Sequence, residues 1–391
     1  MIRKREQNLK YWVGGERLSM QKLSIYQLKP NMIAAENVLD FNKRLILEKG
    51  TVLNDILIER LLANQIISIY VEDTLYTRQT PPVASAASHL MSKTPLPDLT
   101  QSYSERVRQS EEFKIFKANY EKNVNHFRGF LNDLVERNTS VDISVVLQDS
   151  LDLISSAKGK ISILDMLQNM RDYDDDTYAH SLNVGLICNV LAGWLKLNDE
   201  EIELATACGL FHDIGKLKVP PEVIRKPSRL SMEEYLQVRE HTVEGYKILR
   251  EQKMNAHMQN AALMHHERMD GTGYPLNLKG NQIDRYASLV AIADVYDAMT
   301  SKRVYRAALC PFTVIEIFEQ EGFQRYDTEF LLPFLDHVVN TYLQNRCELS
   351  DGRIGTIVYI NKDQLSRPTV DCDGQYVDLS IHPELKILRL K

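Results

Sequence analysis

The chain has 391 residues, 44% hydrophobic and 26% charged, the balance of an ordinary globular protein long enough for two or three domains. Its formal charge of −6 leaves no basic footprint, so a nucleic acid polymer is not the expected partner. Five cysteines (Cys188, Cys208, Cys310, Cys347 and Cys372) show no CxxC and no paired spacing, which points to a reducing, cytoplasmic compartment and not to a disulfide framework.

Met1-Ile2-Arg3-Lys4-Arg5 looks like the opening of a signal peptide, but Glu6, Gln7, Asn8 and Lys10 interrupt any apolar stretch behind it. The best apolar run elsewhere, Leu186 to Leu195, is too short to span a bilayer, so no membrane is expected. Residues 18–77 alternate β-branched runs with turn signals: strands at 32–38, 44–50 and 67–73 and a short helix at 54–65 predict a small α+β accessory domain. Residues 78–99, rich in proline and small side chains, have linker composition. From 100 to about 345 the chain reads as helical almost throughout. A long amphipathic helix over 104–138 could pack against a second copy in a homodimer or brace the bundle behind it. Capping boxes at Asn198/Glu201 and Ser231/Glu234 open two later helices. The tail, 346–391, reads as four short strands. The fold class is therefore mainly α, with a small N-terminal α+β domain and a short C-terminal β segment.

The strongest chemical signal is His212-Asp213-Ile214-Gly215-Lys216, at the end of an apolar helix where a glycine turn lets His212 and Asp213 face one cavity. Imidazole with carboxylate is a ligand mix for a divalent ion, although the pair by itself is common. Other residues keep it company. His180 shares a helical face with Val184, Ile187 and Leu191, and Asp176 lies one turn earlier. His241 sits mid-helix with Gly245 one turn on. His265 and His266 end an apolar helix just before Gly271-Thr272-Gly273-Tyr274-Pro275. Asp294 lies in the apolar run Leu289–Thr300, where an unpaired carboxylate is costly. His89, His126, His337 and His382 lack such surroundings and read as structural.

These motifs, with "IADVYDAMTSKRVYR" after them, occur in the order of the HD-GYP phosphodiesterases, a bacterial subgroup of the HD-domain metal hydrolases, which the chain resembles from roughly 170 to 340. The resemblance implies a helical HD-GYP bundle that hydrolyses cyclic dinucleotides, chiefly cyclic di-GMP, to pGpG and then GMP. It implies two or three divalent metal ions, iron or manganese before nickel or zinc. Carried over by position, the metal ligands are His180, His212, Asp213, His241, His265, His266 and Asp294. Asp176 stands where trinuclear members have a glutamate, and Asp213 is the bridging, catalytic carboxylate. Lys216 resembles the family's phosphate-facing lysine, Arg303 and Arg306 its phosphate-binding cations, and Tyr274 a residue lining the substrate pocket. Glu267 is expected to orient one of the histidines. The Gly-Tyr-Pro loop is linked in this family to diguanylate cyclase contact. Three alternatives stay open: a phosphodiesterase for 3′,3′-cyclic GMP-AMP, a non-catalytic cyclic di-GMP receptor, and a phosphohydrolase of nucleotide monomers.

Overall fold

The computed structural model describes residues 9–13, 16–24, 28–29, 32–39, 45–53, 57, 61, 66, 68–72, 103–137, 142–157, 161–170, 177–224, 226, 228–301 and 307–391. The chain divides into two compact units, Met1–Pro95 and Leu96–Lys391.

In the first unit, strands Leu9–Val13, Glu16–Ser24 and Ser68–Glu72 form an antiparallel sheet in that order, and Val38–Leu39 pairs with Leu45–Leu47. Leu47, Leu53, Leu61, Ile69 and Val71 are buried together. Residue 18, where the sequence placed the start of this module, lies inside the strand Glu16–Ser24. The strand expected at 32–38 shrinks to Val38–Leu39 plus single bridges at Ile33 and Ala34. Most of the helix expected at 54–65, and the whole linker 78–99, lie outside the described residues.

The second unit is mainly helical, as the sequence indicates. The long helix expected over 104–138 is divided at Ser110 into Tyr103–Gln109 and Glu111–Arg137. The Ser110 hydroxyl donates to the Val107 carbonyl (2.7 Å) and accepts from the Phe113 amide (3.1 Å), so a side chain that caps helices interrupts the periodicity. Glu111–Arg137 lays Phe116, Tyr120, Val124, Phe127 and Leu131 into the core, with Phe127 and Phe130 edge-on to Phe211, the residue before His212. Thr177–Trp194 packs against Asp199–Phe211 and Arg285–Thr300, and Asp199–Phe211 packs also against Ala256–Met264 and Arg285–Thr300. Both expected capping boxes form, with Asn198 accepting from Glu201 N and Ser231 from Glu234 N.

The tail forms a five-stranded antiparallel sheet in the order Ile387–Leu390, Arg346–Leu349, Ile354–Tyr359, Thr369–Cys372 and Gln375–Asp378. One strand more than expected appears, because Arg346–Leu349 follows the last helical turn without a sequence break. Asp373 and Gly374, both at positive φ, make the tight hairpin turn between the last pair in sequence contact. Cys347, Leu349, Ile357 and Val370 join the same apolar core as the helices. Among the described residues, no helix is long and apolar enough to cross a membrane.

Candidate metal centre

Five short stretches deliver the chemistry to one buried point. Thr177–Trp194 carries His180 on its inner face. Asp199–Phe211 ends at His212, and a tight turn of helix, Ile214–Lys218, begins right after Asp213. His241 is not mid-helix: the chain breaks at Glu240, and His241 opens a new helix, His241–Glu251. Ala256–Met264 stops at His265, and Arg285–Thr300 carries Asp294. Gly215 is required here, because a Cβ on it would meet the His241 carbonyl oxygen at 1.9 Å and the Gly245 nitrogen at 2.5 Å. Only a bare Cα lets the His212-Asp213 turn press against the His241 helix.

Asp213 is the centre of the cluster, 1% exposed. Its Oδ1 faces His241 Nε2 (3.4 Å) and His265 Nε2 (3.7 Å), while Oδ2 faces His212 Nε2 (3.3 Å) and His180 Nε2 (3.6 Å). Asp294 does the same from the other side: Oδ1 lies 3.1 Å from His180 Nε2 and 3.9 Å from His212 Nε2, and Oδ2 lies 3.9 Å from His266 Nδ1. Each carboxylate thus addresses two imidazole groups with separate oxygens. Three overlapping sets, His241/His265/His266, His180/His212/Asp213 and His212/His265/Asp294, bring ligand atoms within 4.8 Å of one another.

Electrostatics puts these groups in ligand form. Burial drives the His241 imidazole down to about 4, with Lys216 and His212 adding to the effect and Asp213 opposing it. Burial likewise takes His266 to about 3 and, aided by His266 and His212, holds His265 well below its ordinary value. Burial alone would raise Asp213, but Lys216 and then His212 hold it well below the usual carboxylate range. Asp294 is lowered in the same way against its burial, chiefly by the hydrogen bond from His180. Neutral imidazoles and ionised carboxylates are what a divalent cation needs.

A physical test of fit comes from unsatisfied atoms. Among the described residues, His212 Nε2 and Asp213 Oδ1 are buried side-chain atoms without a hydrogen-bond partner, as is Asn345 Oδ1 elsewhere. Leaving such an atom bare costs about 1–3 kcal/mol, more when it is charged. Two of these atoms point into the same cluster, and a cation satisfies both. The residues present therefore fit divalent cation binding.

Of the other residues singled out by sequence, Lys216 donates to Asp213 Oδ2 at the edge of the cluster. Tyr274 packs at a tilt against His266 with ring centres 4.7 Å apart, and the Arg239 guanidinium lies over the Tyr274 ring, 4.3 Å from its centre, a cation that the sequence does not single out. Among the described residues, Glu267 makes no hydrogen bond to a histidine through its carboxylate. It is 2% exposed, and its carboxylate accepts from the amides of Leu276 (2.6 Å) and Leu278 (3.0 Å), pinning the loop that carries Tyr274. Gly273 lets that loop close down, since a Cβ there would meet the Glu267 Cα at 2.4 Å. Asp176, Arg303 and Arg306 lie outside the described residues. His126 pairs with Asp149, His337 stacks on Trp194 and His382 meets Glu384, all apart from the cluster; His89 lies outside the described residues. The sequence reading also passed over Asp297, one turn beyond Asp294 in the same apolar helix, whose Oδ2 accepts from His180 Nδ1 at 2.7 Å. Like Asp294, it is a carboxylate among apolar neighbours, where an unpaired charge is costly.

Residues 157–330 match the family model described as HD domain. A cyclic di-GMP phosphodiesterase of Pseudomonas aeruginosa is 34% identical over 206 residues, 52% of this chain and 49% of that one. A 3′3′-cGAMP-specific phosphodiesterase of Vibrio cholerae is 37% identical over 162 residues, 41% of this chain and 38% of that one. A cyclic di-GMP phosphodiesterase of Thermotoga maritima is 35% identical over 148 residues, 37% and 40% of the two chains. This chain spans about half the length, or less, of these curated relatives. The family resemblance read from the motifs holds.

Proposed function

We propose that the protein is a metal-dependent phosphodiesterase of the HD-GYP kind that hydrolyses cyclic dinucleotides, cyclic di-GMP first among them, to pGpG and/or GMP. One observation carries the reading: Asp213, fully buried, directs its two oxygens at two different pairs of histidines, with His212 Nε2 and its own Oδ1 left without partners. Two divalent ions fit this set, held by His180, His212, Asp213, His241, His265, His266 and Asp294. A third would need Asp176, a shorter side chain than the glutamate of trinuclear members.

When bound, such ions supply charge that polarises a phosphoryl oxygen and acidifies water nearby. The chain's own groups do the rest. Asp213 and Asp294 stay ionised, so the pocket carries negative charge to offset the cations and draw them together. Lys216, paired with Asp213 here, can turn its ammonium to a phosphate oxygen entering the cluster. Tyr274, with Arg239 over its ring, closes one wall, and Arg303 and Arg306 are the further phosphate cations. Iron or manganese is the metal that the HD-GYP resemblance implies, while the imidazole–carboxylate set itself also accepts nickel or zinc. The five cysteines are all free, which supports a cytoplasmic location.

A second substrate has support of its own, since the Vibrio cholerae relative named for 3′3′-cGAMP is as similar as those named for cyclic di-GMP. The test is side-by-side hydrolysis of both nucleotides by protein purified without oxygen and loaded with iron or manganese. Turnover of at least one, lost in Asp213→Ala, is the expected result. Metal-loaded protein that binds cyclic di-GMP but cleaves neither nucleotide would make it a receptor.

A further inference from the structure

The hydrogen bonds behind the clustered histidines are uneven. His212, His241 and His265 each direct Nδ1 to a main-chain carbonyl: Gly209 at 2.7 Å, Val238 at 2.5 Å and Ala261 at 3.0 Å. His180 instead meets a carboxylate, Asp297 Oδ2, at 2.7 Å. Asp297 is 2% exposed and ionisable, and its other oxygen accepts from Asn183 Nδ2 (3.1 Å) and Ser301 Oγ (3.2 Å). Asn183 Oδ1 in turn accepts from the Tyr120 hydroxyl at 2.7 Å, which also lies 3.4 Å from the Ala179 carbonyl.

His180 meets a carboxylate through each ring nitrogen, Asp297 Oδ2 at Nδ1 and Asp294 Oδ1 at Nε2 (3.1 Å). A carboxylate only accepts and a cation held by Nε2 needs its lone pair, so in the metal-bound site the His180 proton sits on Nδ1, facing Asp297. Asn183 must present its NH2 to Asp297 and therefore its oxygen to Tyr120. A carbonyl orients an imidazole, whereas a carboxylate also draws its proton and makes the far nitrogen a stronger donor to a cation. The bonds reach Tyr120, in the helix Glu111–Arg137, which precedes the segment 157–330 matched by the HD domain family.

We propose that Asp297, itself held by Asn183 and Tyr120, is a positioning residue that strengthens His180 as a ligand, so that the helix ahead of the HD domain tunes one side of the metal cluster and not the other. The proposal rests on the metal reading of the site given above. It predicts asymmetry: the ion nearest His180 depends on this relay, and the ion nearest His241, His265 and His266 does not.

The experiment is calorimetric titration of metal-stripped full-length protein with Mn2+, without substrate. In Asp297→Ala, one Mn2+ should bind about 10–100-fold more weakly while the other changes less than about twofold. Tyr120→Phe keeps the ring and loses only the hydroxyl, and should weaken the same ion by about threefold, roughly the effect of one hydrogen bond two residues removed. Equal weakening of both ions in Asp297→Ala marks a general structural loss and overturns the proposal, as do unchanged affinities. Should Asp297→Ala fail to fold, Tyr120→Phe decides by itself, and identical affinities to wild type refute the relay. Wild-type protein that binds no Mn2+ would remove the metal reading itself; wild-type binding with symmetric variants removes only the inference drawn here.

Discussion

Two polar regions of the helical unit follow opposite rules. Where the helix Pro311–Ile317 and the turn after it meet the C-terminal sheet, each charge finds its complement. Arg367 reaches Glu316 (3.0 Å) and the Leu385 carbonyl (2.8 Å), Lys386 reaches Glu316 (3.1 Å), and Glu319 accepts from the Leu365 amide (2.6 Å). At the Asp213 cluster, acceptors face acceptors across 3.3–3.9 Å and two buried atoms are left without partners. The joint is complete as protein. On the metal reading proposed above, the cluster is completed by cations.

Four perturbations test this contrast. The largest effect is expected from Asp213→Ala, which removes the carboxylate both ions would share: turnover should fall on the order of a thousandfold and elemental analysis should show most of the metal gone. Full activity in that variant without metal would break the comparison outright.

Acid should come next. His241 ionises near 4 in the folded metal-free protein but near 6.5 when unfolded, so between those values the unfolded chain holds a proton that the folded chain lacks. Each step down in pH through that window then favours unfolding, by about 3 kcal/mol across it from this group alone. Denaturant melts of chelator-treated protein at pH 7 and pH 4.5 measure it, and equal stability at both would contradict the buried, neutral imidazoles.

Gly215→Ala places a methyl against the His241 carbonyl and should cost about 1–3 kcal/mol of stability while weakening metal binding. Its thermal melt and Mn2+ titration should shift together. Arg367→Ala acts at the closed joint and should cost about 1–2 kcal/mol, with metal content and turnover unchanged. A loss of metal from that variant would mean that the two regions are not separate.

The arrangement of these regions was unequally legible. His212-Asp213, the His265-His266 pair and Asp294 stood out because polar groups interrupt apolar helices, and such interruptions carry an energetic cost that demands a partner. The capping boxes were readable for a local reason, since both partners lie within one turn. The break at Ser110, the start of a helix at His241 and the fifth strand at Arg346–Leu349 were not, because periodicity averages over several residues and each of these turns on one.

Residue type and spacing alone determined a helical protein with a set of histidines and carboxylates suited to divalent cations. Which of those side chains meet, through which atoms, was decided by the tertiary structure: Asp213 splits its oxygens between two histidine pairs because Gly215 lets the His241 helix approach. The same packing turned Glu267 from a presumed partner of histidine into the anchor of the Tyr274 loop, and made Asp297 the residue behind His180. A sequence can say that a buried charge requires a partner. The partner is chosen by distances between residues far apart in the chain, and those exist only once the helices have packed.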